Sequence, residues 1–86
     1  MKITVYGTMT CPYCYALKDW LDGEKVKYDF HFVDHDRKMA AEMAELNADG
    51  GVPFSVVEFD GGSKENILGF DREKFTEVLG KGDKND

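Results

Sequence analysis

The 86-residue sequence has little cysteine and little proline, two residues of each, and no long apolar run. No stretch approaches the ~18 consecutive apolar residues that a membrane span requires. The N-terminus alternates apolar and polar residues and turns at Gly7, so it lacks the continuous apolar core of a secretory signal peptide. We therefore expect a cytoplasmic protein, whose thiols are kept reduced. Cys11 and Cys14 are too close in the chain to staple a fold, which indicates a chemical role for them.

The chain also lacks an excess of positive charge. Lys and Arg number 11 and Asp and Glu 17, so the formal net charge is -6. An acidic chain repels phosphate backbones and anionic lipid headgroups, which disfavours nucleic-acid binding and membrane-surface binding. The length suits one compact domain, and a 42% apolar and 13% aromatic content supplies its core. We expect a monomer with one domain over residues 1–80 and a polar tail over residues 81–86.

Apolar spacing predicts strand, helix, strand and helix in the first half of the chain. The first strand ends at Gly7, and a helix begins at Pro12 and ends at Gly23 as its C-cap. Residues 26–32 alternate apolar and polar side chains, which predicts a half-buried strand at a sheet edge. Asp36 is expected to cap a second helix. The predicted inner face of that helix consists of Met39, Met43 and Leu46.

The second half of the chain predicts a hairpin and a final helix. The Asp-Gly-Gly segment at residues 49–51 breaks the second helix. Strands over residues 54–59 and 65–68 are joined by another Asp-Gly-Gly segment, a hairpin signal, so they must be antiparallel. Asp71 is expected to cap the last helix and Gly80 to close it. The order β-α-β-α-β-β-α predicts an α/β fold, with a four-stranded mixed sheet covered by three helices on its two faces.

The most informative residues are Cys11, Pro12, Tyr13 and Cys14, between the first strand and the first helix. Unpaired N–H groups and the macrodipole at a helix N-terminus favour an anion, and the thiolate is the nucleophilic form of cysteine. Cys14 lies one turn further along and faces the core. The pattern predicts that Cys11 attacks, that Cys14 resolves the mixed disulfide, and that the pair forms a redox-active disulfide. Tyr13, between the two cysteines, is the candidate for contact with a partner or substrate.

On these residues the chain resembles the glutaredoxins, thioredoxin-fold proteins with a Cys-Pro-Tyr-Cys active site. The match also includes Val52 and Pro53 before the third strand, and Gly69, Phe70 and Asp71 before the last helix. The resemblance implies a thioredoxin-like fold and a thiol–disulfide oxidoreductase that reduces protein disulfides and glutathione mixed disulfides. It implies glutathione as the reductant, with no permanently bound cofactor. It further implies a cis peptide bond before Pro53, a Val52 backbone that pairs with the bound cysteine, and a segment 69–71 that holds the γ-glutamyl end.

Two segments depart from the glutaredoxin pattern. Family members usually carry Lys or Arg shortly before the first cysteine, where this chain has Thr8, Met9 and Thr10. Many also carry a basic residue and a Thr before the Val-Pro pair, where this chain has Gly50 and Gly51. Two expected partners for glutathione carboxylates are therefore absent from their usual places. The candidates to replace them are Arg37, Lys38 and Arg72.

These departures leave an alternative open. Redoxins of the NrdH type resemble this chain in the Gly-Phe pair before the last helix; they draw electrons from thioredoxin reductase and serve ribonucleotide reductase. A zinc-binding module is more remote. His31 and His35 complete a Cys-x2-Cys and His-x3-His pattern, but His31 is expected on a strand and His35 in a loop, whereas a zinc finger places its histidines on a helix. An iron–sulfur cluster held through Cys11 is also remote, because Pro12 stiffens the turn. We predict no metal site, and we expect Trp20 to pack partly into the core.

Overall fold

The computed structural model of the chain describes residues 1–47 and 50–83. It contains the predicted order of elements, β-α-β-α-β-β-α. The strands and helices are β1 (Lys2–Gly7), α1 (Pro12–Gly23), β2 (Asp29–Phe32), α2 (Arg37–Leu46), β3 (Phe54–Glu58), β4 (Lys64–Leu68) and α3 (Arg72–Asp83). No helix in these residues has the length and the apolar character needed to cross a membrane.

The four strands form one mixed sheet in the order β2-β1-β3-β4. β1 pairs with β2 in parallel and with β3 antiparallel, and β3 and β4 form an antiparallel hairpin. In the hairpin turn the Phe59 N–H donates to the Ser63 carbonyl at 2.8 Å, and Gly62 has a φ of +92°, a conformation that favours glycine. The predicted mixed sheet, its edge strand β2 and its antiparallel hairpin are confirmed.

Apolar side chains fill both faces of the sheet. Residues of α1 and α3 pack with alternate residues of the strands on one face, and residues of α2 pack on the other. The first cluster is the larger and includes Ile3, Val5, Leu17, Leu21, Val57, Ile67, Phe75, Val78 and Leu79. The second consists of Tyr6, Met43, Phe54 and Val56. Helices on both faces of a four-stranded mixed sheet make this a thioredoxin-like fold, as predicted.

Two aspartates cap helices where the sequence predicted them. The Asp36 carboxylate accepts hydrogen bonds from the N–H groups of Lys38 and Met39, at 3.1 and 3.2 Å. The Asp71 carboxylate accepts one from the N–H of Lys74, at 3.1 Å. Each cap satisfies donors of the first turn that have no partner within the helix.

α1 begins at Pro12 and ends at Gly23, as predicted, but the cap of this helix and the start of β2 differ from the prediction. The turn of positive φ lies at Lys25, with φ +58°, and not at a glycine C-cap formed by Gly23. The Val26 N–H donates to the Leu21 carbonyl at 3.2 Å and the Lys25 N–H to the Asp22 carbonyl at 3.1 Å, which is the Schellman pattern. Because Val26 serves the helix end, the predicted strand over residues 26–32 is shortened to Asp29–Phe32.

Three other local predictions are corrected or only partly covered. Leu46, predicted on the inner face of α2, is 49% exposed at the end of that helix. α3 continues through Gly80 to Asp83, since glycine lowers helix propensity without forbidding a helix, so the predicted end at Gly80 is wrong. Asp49 and residues 84–86 of the predicted tail lie outside the described residues. Gly50 forms a turn with φ +71°, as the predicted helix break requires.

Candidate active site

Cys11 is the N-cap residue of α1, and Pro12 occupies the first turn. The Cys11 backbone is extended, with φ -93° and ψ 111°, and its side chain makes no capping hydrogen bond. Its N–H donates to the Thr8 carbonyl at 3.4 Å, and its carbonyl accepts from the Cys14 N–H at 3.2 Å. Cys11 is therefore a partly exposed residue at the positive end of the helix, as the sequence predicted.

Cys14 lies one turn into α1 and is fully buried. Both cysteines are free thiols, and the Cys14 thiol is hydrogen bonded to Cys11. Burial raises the pKa of Cys14 from 9.0 to about 12, and the hydrogen bond to Cys11 contributes in the same direction. Cys14 thus remains a thiol at neutral pH, since burial disfavours the charged form. It can donate its S–H to the more exposed sulfur.

Gly7, the last residue of β1, makes room for the Cys14 side chain. A Cβ atom at this position would lie 2.8 Å from Cys14 Sγ and 2.7 Å from Phe30 Cζ, closer than packed atoms allow. Sequence reasoning used Gly7 only as a strand end. The short connection between the end of β1 and α1 could have indicated that Gly7 lies close to the cysteines.

Asp34 also adjoins the cysteines, and sequence reasoning did not single it out. Its Oδ2 accepts a hydrogen bond from the Met9 N–H at 3.1 Å, in the loop that leads from β1 to Cys11. Asp34 is among the charges that raise the pKa of Cys14. It follows β2, which is parallel to β1, so the chain leaves both strands at the same end of the sheet. That topology was the signal available for Asp34.

Val52 and Pro53 lie at the same end of the sheet as the cysteines. The peptide bond between them is cis, as the resemblance implied, and Pro53 is fully buried. Tyr6 pairs with Phe54, so the chain enters β3 where it leaves β1 for the cysteine loop. The Gly69 N–H donates to the Pro53 carbonyl at 2.7 Å, and Gly69 has a φ of +78°. The structure therefore connects the Val52–Pro53 pair to the segment that begins at Gly69, two segments that the sequence indicated separately.

Phe70 and Asp71 have structural contacts of their own. The Phe70 ring is half-buried and lies 6.1 Å from the Trp20 ring, and Trp20 lies at the same distance from Phe75. The predicted core packing of Trp20 is confirmed. The Asp71 side chain is exposed and uses Oδ1 for its cap on Lys74. A ligand role for Phe70 and Asp71 stays a prediction.

Three large apolar or aromatic side chains are exposed in the cysteine loop and the first turn of α1. Tyr13 is 68% exposed, Met9 49% and Tyr15 41%; we call these three residues the apolar collar.

The basic residues predicted to replace the missing partners of the glutathione carboxylates lie on other helices. Arg37 and Lys38 lie in the first turn of α2, and Arg72 is the first residue of α3.

The cysteine–histidine pattern does not assemble a metal site in the described residues. No group of three or more His, Cys, Asp or Glu side chains there is placed to hold a metal ion. His31 packs on Tyr6, with ring centroids 5.9 Å apart, while His35 Nε2 lies 3.7 Å from Asp34 Oδ2. The two histidines therefore face different surroundings.

Comparisons with known proteins agree with this geometry. Residues 3–61 match the glutaredoxin family model. The chain is 32% identical over 79 residues to an uncharacterized glutaredoxin-like 8.6 kDa protein of Clostridium pasteurianum, covering 92% of this chain and 99% of that one. It is 33% identical over 67 residues to mycoredoxin 1 of Corynebacterium glutamicum, covering 78% and 82%. The crystal structure of Methanosarcina acetivorans methanoredoxin superposes with a TM-score of 0.79 at 25% identity, covering 92% of this chain and 84% of that one.

Proposed function

The chain belongs to the glutaredoxin family, and we propose that it is a dithiol oxidoreductase that reduces protein disulfides and glutathione mixed disulfides through Cys11 and Cys14. The observation that carries the proposal is the pairing of a buried Cys14 thiol with a partly exposed Cys11 sulfur at a helix N-terminus. One sulfur is accessible to a substrate, while the other is withheld within reach of the first. This asymmetry is what a nucleophile and a resolving thiol require.

The reaction follows from the two environments. The Cys11 thiolate attacks one sulfur of a substrate disulfide; a bond forms between these sulfurs, and the second substrate sulfur leaves as a thiolate that takes a proton from water. The Cys14 sulfur then attacks Cys11 Sγ, which breaks the bond between Cys11 and the substrate. The proton of Cys14 passes to the departing substrate thiolate. The products are a Cys11–Cys14 disulfide and a substrate that has gained two electrons.

Substrate alignment is assigned to the segments beside the dithiol. To the Val52 backbone, next to the buried Pro53, we assign β-type pairing with an extended cysteine peptide. We assign the amino and carboxylate groups of a γ-glutamyl end to Asp71 and to the backbone N–H groups at the start of α3. The Asp71 cap uses Oδ1, so Oδ2 is the oxygen we assign to the ammonium. Tyr13, the most exposed member of the apolar collar, is assigned to substrate contact.

The electron donor separates two versions of this function. The first is glutathione. The second is thioredoxin reductase, with ribonucleotide reductase as an acceptor, as in redoxins of the NrdH type. A specific observation favours the second: the loop before Cys11 is Thr8, Met9 and Thr10, and it presents an exposed methionine instead of a cation. Glutathione carries two carboxylates, and charge-assisted hydrogen bonds contribute about 1.5–3 kcal/mol each.

The donor is tested by oxidising the purified protein and following its reduction by two systems. Glutathione is one, and NADPH with thioredoxin reductase is the other; thiol release and Trp20 fluorescence report the reaction. Reduction by glutathione supports the first version, and we expect Arg37, Lys38 or Arg72 to be required for it. Reduction only by thioredoxin reductase supports the second. If neither system reduces the disulfide, both versions are wrong.

Two serine variants test the cysteine roles. Cys14→Ser is expected to retain reduction of glutathione mixed disulfides and to lose reduction of protein disulfides, because only the second needs a resolving thiol. Cys11→Ser is expected to lose both activities. Full protein-disulfide reduction by Cys14→Ser would contradict the resolving role of Cys14.

Reduction of protein disulfides and reduction of glutathione mixed disulfides both need a reducing compartment, and we propose the cytoplasm.

A further inference from the structure

We propose that Asp34 is a positioning residue of the dithiol site, which acts with Tyr15 on the peptide groups of Met9. This inference rests on the proposed function, because it concerns how the attacking sulfur of Cys11 and the resolving sulfur of Cys14 are held in position relative to each other. Asp34 lies outside the Cys-Pro-Tyr-Cys motif and follows a different strand. Its contribution would come through the loop that connects β1 to Cys11.

The contacts hold Met9 from both sides. Asp34 Oδ2 accepts from the Met9 N–H at 3.1 Å, and the Met9 carbonyl accepts from the Tyr15 hydroxyl at 2.9 Å. Tyr15 belongs to α1 and its ring lies 6.4 Å from that of Phe32, at the end of β2. The loop residue is thus tied at its N–H to the segment after β2, and at its carbonyl to α1.

This loop touches both cysteines. The Thr8 carbonyl, one residue before Met9, accepts from the Cys11 N–H at 3.4 Å. The Thr8 backbone also hydrogen bonds with the Cys14 thiol. A shift of Met9 would therefore change the positions of both cysteines. Since an intramolecular attack depends on the geometry of the reacting atoms, a looser loop would slow the attack of Cys14 on Cys11.

The charge of Asp34 is a separate effect with the opposite consequence. Its carboxylate disfavours a thiolate at Cys14, so the charge alone would slow the resolving step. The hydrogen bond to Met9, in contrast, would favour that step. Asn keeps an acceptor oxygen and removes the charge, whereas Ala removes both, so two variants at one position separate the effects.

The experiment measures how much of the Cys11 mixed disulfide persists and how much is converted to the Cys11–Cys14 disulfide. The reduced full-length protein is mixed with 2-hydroxyethyl disulfide, a probe without carboxylates, then quenched with acid and analysed by intact mass. The ratio of Cys11 mixed disulfide to Cys11–Cys14 disulfide reports the resolving step. Circular dichroism and thermal unfolding check that each variant is folded.

We expect the ratio of Asp34→Ala to be about fivefold above that of Asp34→Asn, because both variants lack the charge and they differ by one hydrogen bond. Asp34→Asn should stay within about twofold of the wild type or fall below it, because the acceptor is kept. Tyr15→Phe, which removes only an exposed hydroxyl, should raise the ratio. The double variant with Asp34→Ala should raise it by less than the product of the two single effects.

Asp29→Asn is the matched control, because it removes the same charge at the other end of β2, where Asp29 pairs with Thr4. It should leave the ratio unchanged. A folded Asp34→Ala variant whose ratio lies within about twofold of that of Asp34→Asn, or single effects that multiply fully, would overturn the positioning role. A wild-type protein that never forms the Cys11–Cys14 disulfide would overturn the proposed function, and this inference with it.

Discussion

Gly7 lies against Cys14 so closely that the structure leaves no room for a methyl group between them. A Cβ atom at Gly7 would lie 2.8 Å from Cys14 Sγ and 3.2 Å from Cys14 Cβ. The same atom would lie 2.7 Å from Phe30 Cζ. The end of β1, the first turn of α1 and an aromatic ring of the edge strand β2 therefore meet at the Cys14 thiol, and a glycine at position 7 leaves room for this contact.

Gly7→Ala is expected to lower the free energy of unfolding by about 1–3 kcal/mol, because overpacking a filled site displaces its neighbours. Urea unfolding of the two proteins measures the change. Gly23→Ala is the matched control: nothing lies within 4 Å of its added Cβ. It should stabilise the protein by about 0.5–1 kcal/mol, the helix preference for alanine. Equal effects of the two substitutions would contradict the close approach at Gly7.

Ser55→Ala is expected to raise the free energy of unfolding by about 1 kcal/mol. The Ser55 hydroxyl is fully buried, and no hydrogen-bond partner for it occurs among residues 1–47 and 50–83. It pairs with Val5 and Ile67 of the larger core, so the hydroxyl is desolvated without compensation. Val57→Ala, on the same strand and face, is the control and should cost about 2 kcal/mol. A loss of stability in Ser55→Ala would show that the hydroxyl is bonded.

Local signals predicted most of the fold. Asp36 and Asp71 were predicted as caps from their place before apolar periodic segments, and both accept hydrogen bonds there. The end of α1 at Gly23 was predicted correctly, but the cap was assigned wrongly, because glycine is only the commonest residue of positive φ. Lys25 takes that conformation instead, and the hydrogen bond from Val26 then shortens β2. Such competition between neighbouring elements is not visible in the pattern of either one.

The candidate site was predicted where its residues are close in the chain and missed where they are not. Cys11, Cys14 and the Val52–Pro53 pair follow from short motifs and from a family resemblance. Gly7 and Asp34 make contacts between elements: Gly7 lies against Cys14 of α1 and Phe30 of β2, and Asp34, after β2, accepts a hydrogen bond from the loop after β1. Their residue types alone do not indicate a functional site, since glycine ends many strands and aspartate occurs in many loops.

Lys25→Gly is expected to raise the free energy of unfolding by about 1 kcal/mol, because φ +58° costs a residue with a side chain about 1–2 kcal/mol that glycine avoids. Urea unfolding measures the gain. Glu24→Gly, one residue earlier with φ -82°, is the control and should lower stability because glycine has more freedom to lose. If both variants change stability in the same direction, the left-handed turn is not at Lys25.

Cys14 is expected to resist alkylation at neutral pH. Its pKa of about 12, raised first by burial, leaves only roughly one thiolate in 100,000 molecules at pH 7. Brief exposure to iodoacetamide should therefore modify Cys11 and spare Cys14, and Cys14 labelling should increase as the pH rises. Peptide mass spectrometry measures both sites. The same reaction in urea is the control, where the two cysteines should react alike; equal labelling of the folded protein would contradict the assignment.

The same pKa shift predicts a loss of stability in alkali. The folded state holds the Cys14 proton up to about pH 12, whereas the ordinary value is 9.0, so between these values the folded state binds more protons than the unfolded state. The stabilisation is complete below the unfolded pKa and falls as the pH rises, by at most about 1.4 kcal/mol per pH unit. The free energy of unfolding of the wild type and of Cys14→Ala should be compared from about pH 7 to about pH 11. The raised pKa values of Tyr6 and Tyr28 occur in both proteins and cancel in the difference. A difference that stays constant above the ordinary pKa of cysteine would mean that Cys14 ionises as freely in the folded protein as in the unfolded chain.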